Sequence, residues 1–208
     1  MKQLYIRVLK CCLLGFILLG SHFSKAQISY WSPLTVSNPF HPSDGLLGCM
    51  TYKNGNLYVP FFDYYGHTLH LAVLSNGNWQ TYTVPQSFDT TQGIVYGDFY
   101  AIAADRFGNV YMAGGITDTS GAIVIKWDGF SFTKVGPNTG AGALHTNNHS
   151  PDPFDNNVIN NICIDQAGNL YVGGYFADAL ANHYIAKWNG TAWSTVGFSA
   201  NLLPQPFS

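Results

Sequence analysis

The side chains able to do chemistry gather in a few polar loops. The densest stretch is 136–157, where His145 and His149 stand four apart and Asp152 and Asp155 follow. Two histidines at that spacing suit a metal site when a helix turns them onto one face. The surrounding HTNNHSPDPFDNN is dense in Asn, Pro and Asp, so it reads as a loop, and no third ligand follows at a fixed distance. Asp63 with His67, Asp118, and Asp178 with His183 complete the candidates. Oxygen donors of this kind make Ca²⁺ the ion of choice if there is one, but the alternating Asp spacing of a dedicated calcium loop is absent. The simpler reading is solvated loop, with no metal and no cofactor.

Other chemistries are excluded more firmly. All 11 acidic residues are Asp, so neither a Glu base nor an HExxH zinc motif is possible. No GxSxG nucleophile elbow, GxGxxG turn or phosphate-binding loop occurs. Nine Lys and Arg in 208 residues cannot form the basic stripe that a nucleic-acid surface needs.

The elements that must position these loops announce themselves by repetition. DRFGNVYMAGG from Asp105 returns as DQAGNLYVGG from Asp165, and IKWDGFSFTKVG from Ile125 returns as AKWNGTAWSTVG from Ala186. A weaker copy runs through NGNLYV from Asn54 and AVLSNGNWQTY from Ala72, so Gly55, Gly108 and Gly168 mark one point in three units. Each unit holds four short runs of strand-forming residues; in the second these are 99–105, 109–114, 122–127 and 132–135. Asp105 to Gly108 forms an Asp-started turn between the first two runs. Asp128-Gly129, Asn189-Gly190 and Asn76-Gly77 are read as tight hairpins between the last two. Asp105, Asp128, Asp165 and Asn189 are therefore turn residues first.

Four antiparallel strands in each of three similar units describe an all-β fold, a β-propeller or part of one, with about three blades. The expected blades are 45–84, 94–136 and 157–197, within a repeat region 27–208. Residues 28–35, with Tyr30-Trp31-Ser32-Pro33-Leu34 resembling Trp193-Ser194-Thr195-Val196, read as an outer closing strand. Three blades and one strand are fewer than the usual closed ring. Further C-terminal blades or self-association are the expected partners that would close it. The recurring Trp127, Trp188, Trp193 and Phe132 are expected between blades rather than on a sugar-binding face. Lys126 and Lys187 alternate away from that packing.

The first segment is an address. Lys2, Arg7 and Lys10 precede the apolar run CCLLGFILLG, and Ser24-Lys25-Ala26 supplies the small residues of a cleavage site, the pattern of a signal peptide over 1–26. The run is about half the ~20 residues that span a bilayer, so no membrane span is expected after cleavage. Cleavage would leave 5 of the 9 basic residues against 11 acidic ones, a formal charge of −6. Cys49 and Cys163 would remain; they could pair in an oxidising compartment, but two buried thiols on separate strands is the simpler expectation.

GNVYMAGG and GNLYVGG, followed by KWDG and KWNG, resemble the repeat of secreted propeller proteins of the Bacteroidota, related to kelch-like and galactose-oxidase-like central domains. The resemblance implies a propeller architecture and leaves the activity open, because lyases, oxidases, adhesins and binding modules share that scaffold. In an up-and-down meander the first-to-second and third-to-fourth turns lie on one face of the disc. The second-to-third loops and inter-blade links lie on the other, and there fall Asp63, His67, Asp118, His145, His149, Asp152, Asp155, Asp178 and His183. The expectation is a secreted or cell-surface, non-enzymatic interaction module that meets an extracellular polysaccharide, peptide or surface protein at that face. A hydrolase or lyase with a metal at the ring mouth, or a structural segment of a large adhesin, is the alternative.

Overall fold

The structure, a computed structural model, describes residues 39–40, 48–63, 65–66, 68–85, 99–118, 121–137, 144, 158–175 and 185–196. These residues form strands and turns, with no helix among them. The first sheet is β1 (Thr51–Lys53), β2 (Asn56–Asp63), β3 (Thr68–Ser75) and β4 (Asn78–Thr83), in chain order. The second begins with β5 (Phe99–Ala104) and β6 (Val110–Gly114). A small separate hairpin of β7 (Thr117–Asp118) and β8 (Gly121–Ala122) intervenes before β9 (Ile125–Trp127) and β10 (Phe132–Lys134) complete the sheet. The third is β11 (Val158–Ile164), β12 (Leu170–Tyr175), β13 (Ile185–Trp188) and β14 (Trp193–Val196). Every pairing is antiparallel, and all but β6–β9, which skips the small hairpin, join strands consecutive in the chain. Three meanders of four strands are the expected blades. One detail differs: the run 122–127 is not a single strand, because Gly121 and Ala122 pair with β7 instead of continuing β9.

Period-2 alternation gives the strands apolar residues on alternate faces, and the first and third sheets each bury one such face against the second, which is covered on both. β6 shows how. Val110 and Met112 join a cluster with Leu69, Leu71 and Val73 of the first sheet, whereas Ala113 joins Ile159, Leu170 and Val172 of the third. Ile125 and Trp127 face the first sheet; Val124 and Val135 face the third. Burial of each such aliphatic side chain stabilises by about 1.5–3 kcal/mol. The recurring aromatics lie in these interfaces as expected. Trp127 and Trp193 are buried, with Tyr58 and Tyr82 packed at 6.1 and 5.0 Å from the Trp127 ring and Trp188 at 5.4 Å from Trp193. Trp193 Nε1 donates to the carbonyl of Val135 at 3.2 Å, tying the third sheet to the second.

The turns divide into two kinds. Asn54-Gly55 and Asn76-Gly77 carry positive φ at both residues (51° and 83°, 50° and 78°), the two-residue hairpin whose twist matches the strands. Asp128-Gly129 and Asn189-Gly190 were expected to behave alike, and they do not. Trp127 pairs with Phe132 and Trp188 with Trp193, so each connection is four residues long. The Asp128 carboxylate accepts the backbone N–H of Phe130 and of Ser131, both at 2.9 Å, and Asn189 Oδ1 accepts those of Thr191 and Ala192. That local acceptor holds a wider turn than the dipeptide alone would make.

Candidate functional site

In the second and third sheets antiparallel pairing brings the start of the first strand beside the end of the second, since Phe99 opposes Gly114 and Val158 opposes Tyr175. The second-to-third connections leave from this same edge. Asp63 closes β2 opposite Thr68, and its Oδ1 accepts the N–H of Tyr65 at 2.9 Å, which presents the exposed Tyr65 ring at the loop tip. Asp118 lies in β7, within the corresponding connection of the second sheet. Asp63 and Asp118 thus both fall in second-to-third connections, Asp118 within the separate two-stranded hairpin. His67, His145, His149, Asp152, Asp155, Asp178 and His183 lie outside the described residues. Among the described residues no three His, Cys or Asp side chains gather into a metal site.

Two features of this edge escape a reading of the sequence. β5 and β11 each carry a register shift, between Phe99 and Ala101 and between Ile159 and Asn161. The extra residues, Tyr100 and Asn160, are repeat equivalents and both are exposed. A bulge re-aims a side chain that alternation would otherwise place in the sheet face. Gly174 is required opposite the second bulge, because a Cβ there would overlap the carbonyl of Val158 and crowd Ile159 Cα. The second feature is aromatic: Tyr65, Tyr100 and Tyr175, one from each sheet, are all exposed at this edge. The available signal was that Tyr100 and Tyr175 depart from their repeat equivalents, Asn160 and Gly115.

The opposite edge spends its carboxylates on the chain itself. Asp105 is buried, and its oxygens accept the backbone N–H of Phe107 and Asn109, at 2.8 and 2.9 Å, and Asn109 Nδ2 at 2.6 Å. Asp165 repeats this with Asn169 N at 2.8 Å, Asn169 Nδ2 at 2.6 Å and the Tyr171 hydroxyl at 3.1 Å. Donation from Asn169 above all holds the Asp165 carboxyl below the usual carboxylate range. The N–H groups of Ser131 and Phe130 do the same for Asp128. Burial, reinforced by the Asp105 charge, raises the Tyr111 phenol. Gly108 and Gly168 take φ of 89° in these turns, as their position required. Lys187 Nζ lies 5.5 Å from the Tyr171 ring centroid, a cation–π contact on the stem side of the same network.

The two cysteines among the described residues, Cys49 and Cys163, are free, and one expectation fails. Cys49 is half-buried, its Sγ 3.5 Å from the Phe99 carbonyl, and burial pushes its thiol up to about 11. Cys163 is exposed rather than buried, because it lies on the face of β11 opposite Ile162 and Ile164, which pack toward the second sheet.

Residues 153–176, spanning β11, the Asp165 turn and β12, match the family of two-component regulator propellers. No curated protein and no solved structure matches the chain. The fold and this repeat together define a β-propeller repeat protein, with three four-stranded antiparallel sheets among the described residues, consistent with a partial propeller.

Proposed function

We propose that the chain is exported through its 1–26 leader and works as a non-enzymatic interaction module outside the cytoplasm, of the secreted kelch-like type found in Bacteroidota. The observation that carries the reading is the edge bearing Tyr65, Tyr100 and Tyr175, one exposed tyrosine from each of three consecutive blades. Tyr offers a flat apolar ring and a hydrogen-bonding hydroxyl at little entropic cost, the combination that binds sugar rings and extended peptides. Asp63 ends β2 at the second-to-third connection of the first sheet, and Asp118 lies in the corresponding connection of the second. The partner is an extracellular polysaccharide, peptide or surface protein, and no cofactor is needed.

The experiment is a glycan and peptide array probed with the full chain and with the combined Tyr65→Ala, Tyr100→Ala, Tyr175→Ala variant. The variant should fold with an unchanged circular dichroism spectrum and lose the parent's array signal; binding that survives all three changes rules this edge out. N-terminal sequencing of the exported product should begin at Gln27, and EDTA should leave binding unaffected.

A further inference from the structure

The repeat allows one face to be compared with its own equivalents. In the second sheet Val124 and Val135, joined by the Val135 N–H to Val124 carbonyl bond of 2.9 Å, face the third sheet and are 0% and 6% exposed. Their equivalents in the third sheet are Ile185 and Val196, which pair directly and are 51% and 37% exposed. The outer pair Leu69–Val84 of the first sheet, closed by the Val84 N–H to Leu69 carbonyl bond, is likewise buried, in the cluster shared with the second sheet. Tyr175 and Cys163 add to the uncovered surface of the third sheet. Its other face, with Ala186 and Trp193, is already packed on the second sheet, so alternation aims Ile185 and Val196 away from every described neighbour.

We infer that this face of the third sheet is a docking surface for one further four-stranded blade of the same repeat. The interface between the second and third sheets specifies that blade's chemistry. It must present small and aliphatic residues where the third sheet presents Ile159, Leu170, Val172 and Ala186. It must also place a Trp at the start of its outermost strand, whose Nε1 donates to the Val196 carbonyl as Trp193 donates to that of Val135. A second copy of this chain is a poorer occupant. In head-to-tail association the first sheet would meet it with a face that holds Val59, Phe61 and Ala72, already buried, with the Phe40 ring edge-on 5.1 Å from Phe61 and 5.4 Å from Trp79.

The test supplies such a blade. A duplicate of residues 136–196 is inserted after Val196 of the full chain, and the first copy carries Ile185→Cys in a Cys163→Ser background. Alkylation of the introduced thiol, read by peptide mass spectrometry, should be about tenfold slower or more in the extended chain than in the unextended one, as burial beneath a docked sheet demands. Trp193→Ala and Ala186→Asp in the duplicate should restore the fast rate. Equal rates with and without the duplicate overturn the inference. A second measurement does not depend on the duplicate folding. In the unextended chain Ile185→Asp should lower Tm far less than Val124→Asp; equal losses would mean that the face is already covered. Protection of the introduced thiol in an unextended chain that light scattering finds dimeric would give the face to a second copy and likewise overturn the proposal.

Discussion

Asp105 and Asp165 occupy the same position in consecutive repeats, and each accepts the side-chain amide of the Asn four residues on, Asn109 and Asn169. The folded Asp165 and Asp128 carboxyls titrate below their unfolded values, so their contribution is complete above the ordinary carboxylate pKa of about 4 and is lost as pH falls through the lower folded values. Asp165→Asn should therefore lower Tm at neutral pH and flatten its fall between neutrality and strong acid. An amide facing Asn169 Nδ2 sets donor against donor, whereas the carboxylate accepts. Melting curves across that pH range with parallel profiles for parent and variant would refute the assignment. The thiols separate in the same way. With its pKa about 11, Cys49 should resist iodoacetamide at neutral pH, while the exposed Cys163 reacts in the folded chain. Peptide-resolved mass spectrometry that finds Cys49 labelled first would contradict the burial described for it.

At the scale of the element, the repeat was legible because glycine and Asp or Asn punctuate strands at fixed offsets. What those dipeptides do next was not. Asn76-Gly77 closes a two-residue hairpin, but Asp128-Gly129 spans half of a four-residue turn whose width depends on bonds from Phe130 and Ser131. The dipeptide is local and its outcome is set by neighbours that show no signal of their own. The bulges at Tyr100 and Asn160 were hidden for a related reason, since an extra residue in a strand looks in sequence like one more step of the alternation. The consequence is testable at two adjacent glycines. Gly173→Ala adds a Cβ with nothing within 4 Å and should be nearly neutral, whereas Gly174→Ala strikes the bulged backbone of β11 and should cost about 1–3 kcal/mol in urea unfolding. Gly168→Val should cost a similar ~1–3 kcal/mol, because a β-branched residue is forced to φ of 89°. Equal stabilities for the two alanine variants would remove the bulge as the reason for the second glycine.

Among the described residues the second sheet packs on the first and on the third, and this fixes how stability is distributed between them. The meander was legible at this scale, and with it the expectation that the connections carrying Asp63 and Asp118 leave from one side. Tyr65, Tyr100 and Tyr175 were not, because exposure depends on which strand ends the sheets leave uncovered. The same uncovered state governs dynamics. The second sheet is packed on both faces, with Val110, Met112 and Ile125 toward the first and Ala113, Val124 and Val135 toward the third. The third is packed on one face and leaves Ile185 and Val196 in solvent. In a repeat array, stability is close to a sum of intrinsic terms and nearest-neighbour interfaces, so a sheet with one interface opens at lower free energy than a sheet with two. Amide exchange followed by mass spectrometry should show β13 and β14 exchanging well before β6 and β9. Trp193→Phe deletes the bond to the Val135 carbonyl, worth about 1 kcal/mol, and should speed exchange in the third sheet while leaving β2 and β3 unchanged. If the protection in all three sheets fell together, the blades would be one cooperative unit, and the nearest-neighbour account of this chain would have to be given up.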